Sequence, residues 1–180
     1  MNFKTLKIFL TFLCFVLVQI ACENTTEPNN SKTSEEYGTG DDYLIYSVVL
    51  DSVQLDNKTF IMIDSTNEES FISGNIDYFL TNLPDAEEET LYNYISQNQT
   101  KIKLKKIEGI NFTFYSEQEN PNQSGTRVSL SRVGYNWNKT QAILTIGIIY
   151  APLAGYGSLF LLNYKNGKWS VKASIMTWIS

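Results

Sequence analysis

Two almost wholly apolar runs near the C-terminus, Ala142 to Tyr150 and Leu159 to Tyr164, do most to limit how this chain can fold. They are too short for typical helices and rich in Ile, Leu and aromatic residues, so they read as strands covered on both faces. Trp169 to Ile179 then alternates: Trp169, Val171, Ala173, Ile175 and Ile179 stand against Ser170, Lys172 and Ser174. That pattern predicts a strand with one wet face. The connections agree. Lys165-Asn166-Gly167-Lys168 carries the Asn-Gly pair that type I′ hairpins favour, and Asn136 to Lys139 fits a second hairpin. Ala151 to Gly157, with two glycines and a proline, forms the third. Val128 to Tyr135 precedes them, with Val128 and Leu130 on one parity and Val133 and Tyr135 on the other. The change of phase predicts a bulge near Arg132 or Gly134. The C-terminal third is therefore an antiparallel meander of about four strands.

The upstream half reads mainly as helix. Asp42 to Leu55 has Ile45, Val48, Val49 and Val53 at helical spacing, with Asp41 or Asp42 available as a cap. Thr59 to Ile63 is a buried strand candidate, and Asn75 to Leu83 a short helix. Asp85 and Glu88 fit a capping box for a third helix with Leu91, Tyr94 and Ile95 on its buried stripe. Ile110 to Tyr115 is another strand. Two or three N-terminal helices packed on one face of a C-terminal antiparallel sheet of about four to six strands make an α+β domain over 42–180. That arrangement resembles the cystatin-like and nuclear-transport-factor-2-like folds, a likeness of fold that implies no activity.

Composition removes whole classes of chemistry. The chain has no His, which excludes Ser-His-Asp triads, Cys-His nucleophile pairs and Cys-His zinc sites. Charge is divided along the chain. Residues 23–99 hold sixteen acids against Lys32 and Lys58, whereas 100–180 hold three acids against ten bases, and no acid follows Glu119. Either an acidic helical half lies beside a basic sheet half and offsets it, or the basic half presents a face to an anionic partner. The bases after Glu119 are dispersed, which argues against nucleic acid.

The N-terminus carries an address. Lys4 and Lys7 precede the apolar run Ile8 to Val18, and Gln19-Ile20-Ala21-Cys22 follows. A positive start, an apolar stretch and a small residue before a cleavage point describe a secretory signal over 1–21. The run from Ile8 to Ala21 is shorter than the ~20 residues a bilayer span needs. With Cys directly after Ala21, the segment resembles a bacterial lipoprotein signal. The resemblance implies acylation of Cys22 (palmitate among the chains) and export to the cell envelope. It further implies anchoring by lipid in a membrane, expected to be the outer membrane of a Gram-negative bacterium. Gln19 departs from the aliphatic residue usual at that position. Residues 22–41, mostly Asn, Thr, Ser, Glu, Pro and Gly, read as the lipidated Cys22 and a disordered linker.

A second resemblance lies at the other end. Ser131-Arg132-Val133-Gly134-Tyr135-Asn136, Gln141-Ala142, Ala154-Gly155-Tyr156-Gly157, Gly167-Lys168-Trp169 and Trp178-Ile179-Ser180 look like one C-terminal pattern. It is similar to a family of small uncharacterised exported bacterial proteins, with Tyr135 where Phe is expected. No catalytic residue is implied by it.

Candidate chemistry is sparse. Glu87, Glu88 and Glu89 are adjacent on a helix and point about 100° apart, so they suit the positive end of the helix dipole rather than one ion. Ser131, Ser158 or Ser174 with Lys172 form a conceivable Ser-Lys pair that no spacing supports. Gly155-Tyr156-Gly157 lacks the Lys-Ser/Thr of a phosphate loop. Arg132, at the expected bulge, is the candidate ligand-binding residue. It could clamp the carboxylate of a small anionic ligand, or pair with one of the chain's own acids. Trp137, in a turn, is the aromatic expected to be exposed. No cofactor, metal or catalytic residue is implied. The expectation is a membrane-anchored, non-catalytic binding or envelope-complex protein whose partners are the bilayer through Cys22 and an envelope protein or anionic ligand. The alternatives are a small anionic-ligand pocket or a His-independent hydrolase.

Overall fold

The computed structural model describes residues 38–53, 55, 60–66, 76–115 and 125–180. The signal, Cys22 and most of the linker lie outside them. Among the described residues three helices and seven strands run in the order α1 (Gly40–Ser52), β1 (Phe60–Ile63), α2 (Ile76–Asn82), α3 (Glu88–Gln97), β2 (Phe112–Tyr115), β3 (Arg127–Leu130), β4 (Gly134–Tyr135), β5 (Gln141–Ala151), β6 (Ala154–Lys165) and β7 (Lys168–Ile179). The fold is α+β. One sheet has the strand order β2-β1-β3-β5-β6-β7, and β4 pairs with β5 alongside β3.

Two features differ from a purely antiparallel sheet with helices on one face. First, β1 lies parallel to both β2 and β3. A parallel pair needs a crossover of a dozen or more residues, and the chain between β1 and β2 supplies one that contains α2 and α3. Second, helices cover both faces. Along β5 and β6, Ala142, Leu144, Ile146, Ile148, Phe160 and Leu162 pack with Ile45, Tyr46, Val49 and Leu50 of α1. The alternate residues Ile143, Leu159 and Leu161 pack with Phe79 of α2 and Leu91 and Tyr94 of α3. Strand alternation puts these sets on opposite faces, which is why the two runs are apolar throughout.

The bulge is present. Between the pairs Leu130–Ile146 and Gly134–Ile143 one strand advances four residues and the other three. Ser131 accommodates the extra residue: its N–H donates to the Thr145 carbonyl (3.0 Å) and its Oγ accepts the Thr145 N–H (2.8 Å). β7 carries two more register shifts, opposite Gly157/Ser158 and Leu161/Leu162. The second redirects the alternation. Trp169 and Val171 pack on the α1 face, whereas Ala173 and Ile175 pack on the α2–α3 face, so no single face of β7 stays wet along its length. Bulges of this kind also blunt an edge strand against pairing with another chain.

Helix starts are set differently from the sequence reading. α1 begins at Gly40 with Thr39 as N-cap, and Asp42 reaches back to accept the Thr39 N–H at 2.7 Å. α3 begins at Glu88 with Glu87 as N-cap, not at Asp85. Its N-terminus is closed from outside: Gln141 Oε1 accepts the Glu87 N–H (2.6 Å) and the Thr90 hydroxyl (3.1 Å), while its Nε2 donates to the Asp85 carbonyl (2.9 Å). Asn166 and Gly167 both have positive φ, 53° and 77°, as a type I′ turn requires. The region Ala151 to Gly157 is not a loop. β5 and β6 stay paired up to Ala151–Ala154, leaving a tight turn at Pro152-Leu153.

Candidate functional site

The bulge projects Arg132 toward a small cleft of about 160 Å³ lined by Thr39, Asp42, Asn93, Gln97, Arg132, Val133, Tyr135 and Lys139. Its walls come from the start of α1, the exposed flank of α3 and the β3–β4–β5 corner. Local hydrogen bonds fix that corner. Asn98, 1 % exposed, accepts the Arg132 N–H at 2.7 Å and donates to the Tyr94 and Arg132 carbonyls. The Tyr46 hydroxyl donates to the Ser131 carbonyl across 3.1 Å, and Asn93 Nδ2 donates to the Tyr135 carbonyl across 2.7 Å. The backbone carrying Arg132 is thus tied to α1 and α3 together.

The cleft is electrostatically mixed. The Arg132 guanidinium donates to the Thr100 hydroxyl at 2.7 Å. Asp42 has both carboxylate oxygens engaged, one by the Thr39 N–H and the other by the Tyr135 hydroxyl at 2.9 Å. Lys139 at the rim pairs with Asp41 at 2.8 Å, and that partner raises its pKa above the ordinary lysine value. Burial, reinforced by the Asp42 charge, pushes the Tyr135 and Tyr46 phenols far above the usual tyrosine range. Both stay protonated and keep donating. Asp42 therefore serves as an acceptor that holds α1 to β4. An anion entering the cleft would meet the Asp42 carboxylate as well as Arg132 and Lys139.

The other sequence candidates are dispersed. Lys172 pairs with Asp85 at 3.1 Å, and Ser131 is 1 % exposed and occupied with Thr145. Glu87 Oε2 accepts a bond from Asn136 at 3.0 Å, while Glu88 stands by the Tyr92 phenol and raises its pKa above the ordinary tyrosine value. Among the described residues no three carboxylate or thiol groups are grouped to hold a metal ion. Trp137 is 91 % exposed, as its turn position implies. Sequence reading missed the tyrosine and amide network of Tyr46, Tyr135, Asn98 and Gln141. A glutamine opening an otherwise apolar run was its one visible signal. No family model, curated protein or solved structure matches this chain.

Proposed function

We propose that this chain is a lipid-anchored protein of a bacterial cell envelope, held by acylated Cys22, whose α+β domain is a non-catalytic binding or envelope-complex module. The observation that carries the reading is Cys22 directly after Ala21, at the end of a leader that is basic and then apolar. One acyl chain holds a protein marginally and two or more hold it stably, so an acylated Cys22 is a sufficient anchor without a spanning helix. The outer membrane of a Gram-negative bacterium is the location this reading favours.

The test is the intact mass of the envelope-associated protein beside that of Cys22→Ala. The expected mass begins at Cys22 and includes acyl chains, and the variant lacks them. An unacylated wild-type protein would remove the anchor from the argument.

One observation favours a second reading, a pocket for a small anionic ligand: Arg132 lines the cleft and Lys139 stands at its rim. Titration calorimetry with acetate and with inorganic phosphate tests it. Arg132→Ala should abolish the binding heat while changing stability by no more than about 0.5 kcal/mol, as expected of a surface side chain. If the substitution only destabilises, Arg132 is structural.

A further inference from the structure

The β5–β6 turn presents an arrangement that the fold does not require. Leu153 is 92 % exposed and has φ 60°. Left-handed backbone is costly for a residue with a branched apolar side chain and cheap for Gly, Asn or Asp. The same sheet uses Asn166 and Gly167 at the β6–β7 turn. At Pro152-Leu153 it instead places a leucine that is both strained and fully in water.

Around that turn lie more exposed apolar side chains. Ile149 is 45 %, Tyr150 53 % and Ile179 74 % exposed. The strands bring them together: Ile149 pairs with Gly155, Tyr156 with Ile179, and Gly157 with Trp178. Trp178, 41 % exposed, lies over Gly157. A Cβ there would fall 2.0–2.6 Å from three indole ring atoms, a spread that a ring lying face-down gives and a ring standing on edge does not. The indole is thus held in place, with its outer side toward solvent.

We infer that this end of the sheet is a membrane-contacting tip, with Leu153 entering the bilayer and Tyr150, Tyr156 and Trp178 at headgroup level. Three features favour a lipid surface over a protein groove. The tip is a projecting turn, with Tyr150, Ala151, Pro152 and Leu153 all exposed. Tyrosine and tryptophan around an aliphatic centre are the composition preferred at a membrane–water interface. One base stands beside the tip to meet an anionic headgroup, Arg127, which pairs with Ile149, whereas Arg132, Lys139, Lys165 and Lys168 lie at the cleft end of the sheet.

The tether allows the contact. The inference rests on the anchored reading for one thing only, that a bilayer lies within reach. The described chain begins beside the cleft, at the opposite end of β5 from the tip. From Cys22 to Gly38 the chain can extend at most about 55 Å at 3.3–3.6 Å per residue. The eleven residues of β5 rise about 37 Å at 3.4 Å each. The tether can therefore pass the length of the sheet.

The chain carries its own reporter. Trp137 and Trp169 sit at the opposite end of the sheet, with Trp169 against Tyr135 and Tyr164, and Trp178 is the remaining tryptophan of three. The experiment uses the full chain from the envelope, its mass measured first. The protein is combined with phosphatidylethanolamine–phosphatidylglycerol vesicles whose acyl chains are brominated. Trp178 emission should be lost by quenching in wild type. The loss should vanish in Trp178→Phe and in Leu153→Asp, a substitution that suits φ 60° and leaves the melting temperature unchanged or raised. Unquenched Trp178 in wild type, or equal quenching in Leu153→Asp, overturns the inference. So does crosslinking of an unquenched tip to an envelope protein. If the mass shows no acylation, the anchor fails separately, and the same quenching difference on the unacylated chain still decides the tip.

Discussion

Gly134→Ala should lower stability by about 3 kcal/mol, in the upper range for overpacking a closed interior. A Cβ at Gly134 would stand 2.4 Å from the Cα and Cβ of Tyr94 and 2.5 Å from its backbone nitrogen. Carbon atoms in contact prefer about 3.5–4.0 Å, so either β4 or α3 must move by more than 1 Å. Neither can do so cheaply. Tyr94 is fully buried, with its hydroxyl 3.0 Å from the Thr145 hydroxyl. Its carbonyl accepts both the N–H and the side-chain amide of Asn98, which also holds Arg132. Displacing α3 therefore breaks bonds on both sides of the bulge. Urea unfolding should show the midpoint falling by more than ~1 M, given a slope of about 1–3 kcal/mol per molar for small domains. Gly40→Ala is the contrast. Nothing lies within 4 Å of its Cβ position and it opens a helix, so that variant should be neutral or slightly more stable. A loss below about 1 kcal/mol at Gly134 would mean that α3 packs more loosely on β4 than these distances indicate.

The same contact shows why parts of the fold could be read from sequence and parts could not. The two apolar runs, the Asn-Gly turn and the change of parity before Tyr135 are local signals, and each marked its element. Register shifts in β7 left no such trace. Trp169, Val171, Ala173 and Ile175 alternate perfectly in sequence, yet an extra residue near Lys172 sends the first pair to one face and the second pair to the other. The short run Phe60 to Ile63 announced a buried strand, but nothing local distinguishes parallel from antiparallel pairing. That choice belongs to the crossover through α2 and α3. α1 was read with Ile45, Val48, Val49 and Val53 on its buried stripe, and all four pack on the core, Val48 and Val53 only in part. What the reading lacked is Tyr46 and Leu50, both buried, with Tyr46 reaching the Ser131 carbonyl eighty-five residues away. The cleft was visible only as Arg132. Its other wall, Asp42, looked like a helix cap and is also the acceptor for Tyr135. At that position the C-terminal resemblance leads one to expect Phe, which would leave Asp42 without the phenol donor.

Gln141→Leu should cost about 2–4 kcal/mol although it places a leucine in an apolar strand, since each buried polar group left unsatisfied costs ~1–3 kcal/mol. Gln141 is 5 % exposed and makes three bonds to the start of α3. Helix starts leave N–H groups without intrahelical partners, and Glu87 makes no side-chain cap bond of its own. With leucine at 141 the Glu87 N–H, the fully buried Thr90 hydroxyl and the Asp85 carbonyl all lose these bonds, and hydrophobic gain offsets only part of the loss. The effect should be local as well as global, with amide exchange at Glu88, Glu89 and Thr90 accelerating more than at Leu161 or Leu162 in the central sheet. Gln141→Glu separates acceptance from donation. Its carboxylate still takes the two donors and suits the positive helix end, but it opposes the Asp85 carbonyl and lies near the Glu87 side chain. That variant should fall between wild type and leucine at neutral pH. It should recover as acidification protonates residue 141 and restores one donor. Thr90→Val in the leucine background removes one stranded hydroxyl, so the double variant should be more stable than the sum of the single losses. Simple additivity would show that Gln141 does not satisfy Thr90, and the start of α3 would then owe its stability to packing of Leu91 and Tyr94 alone.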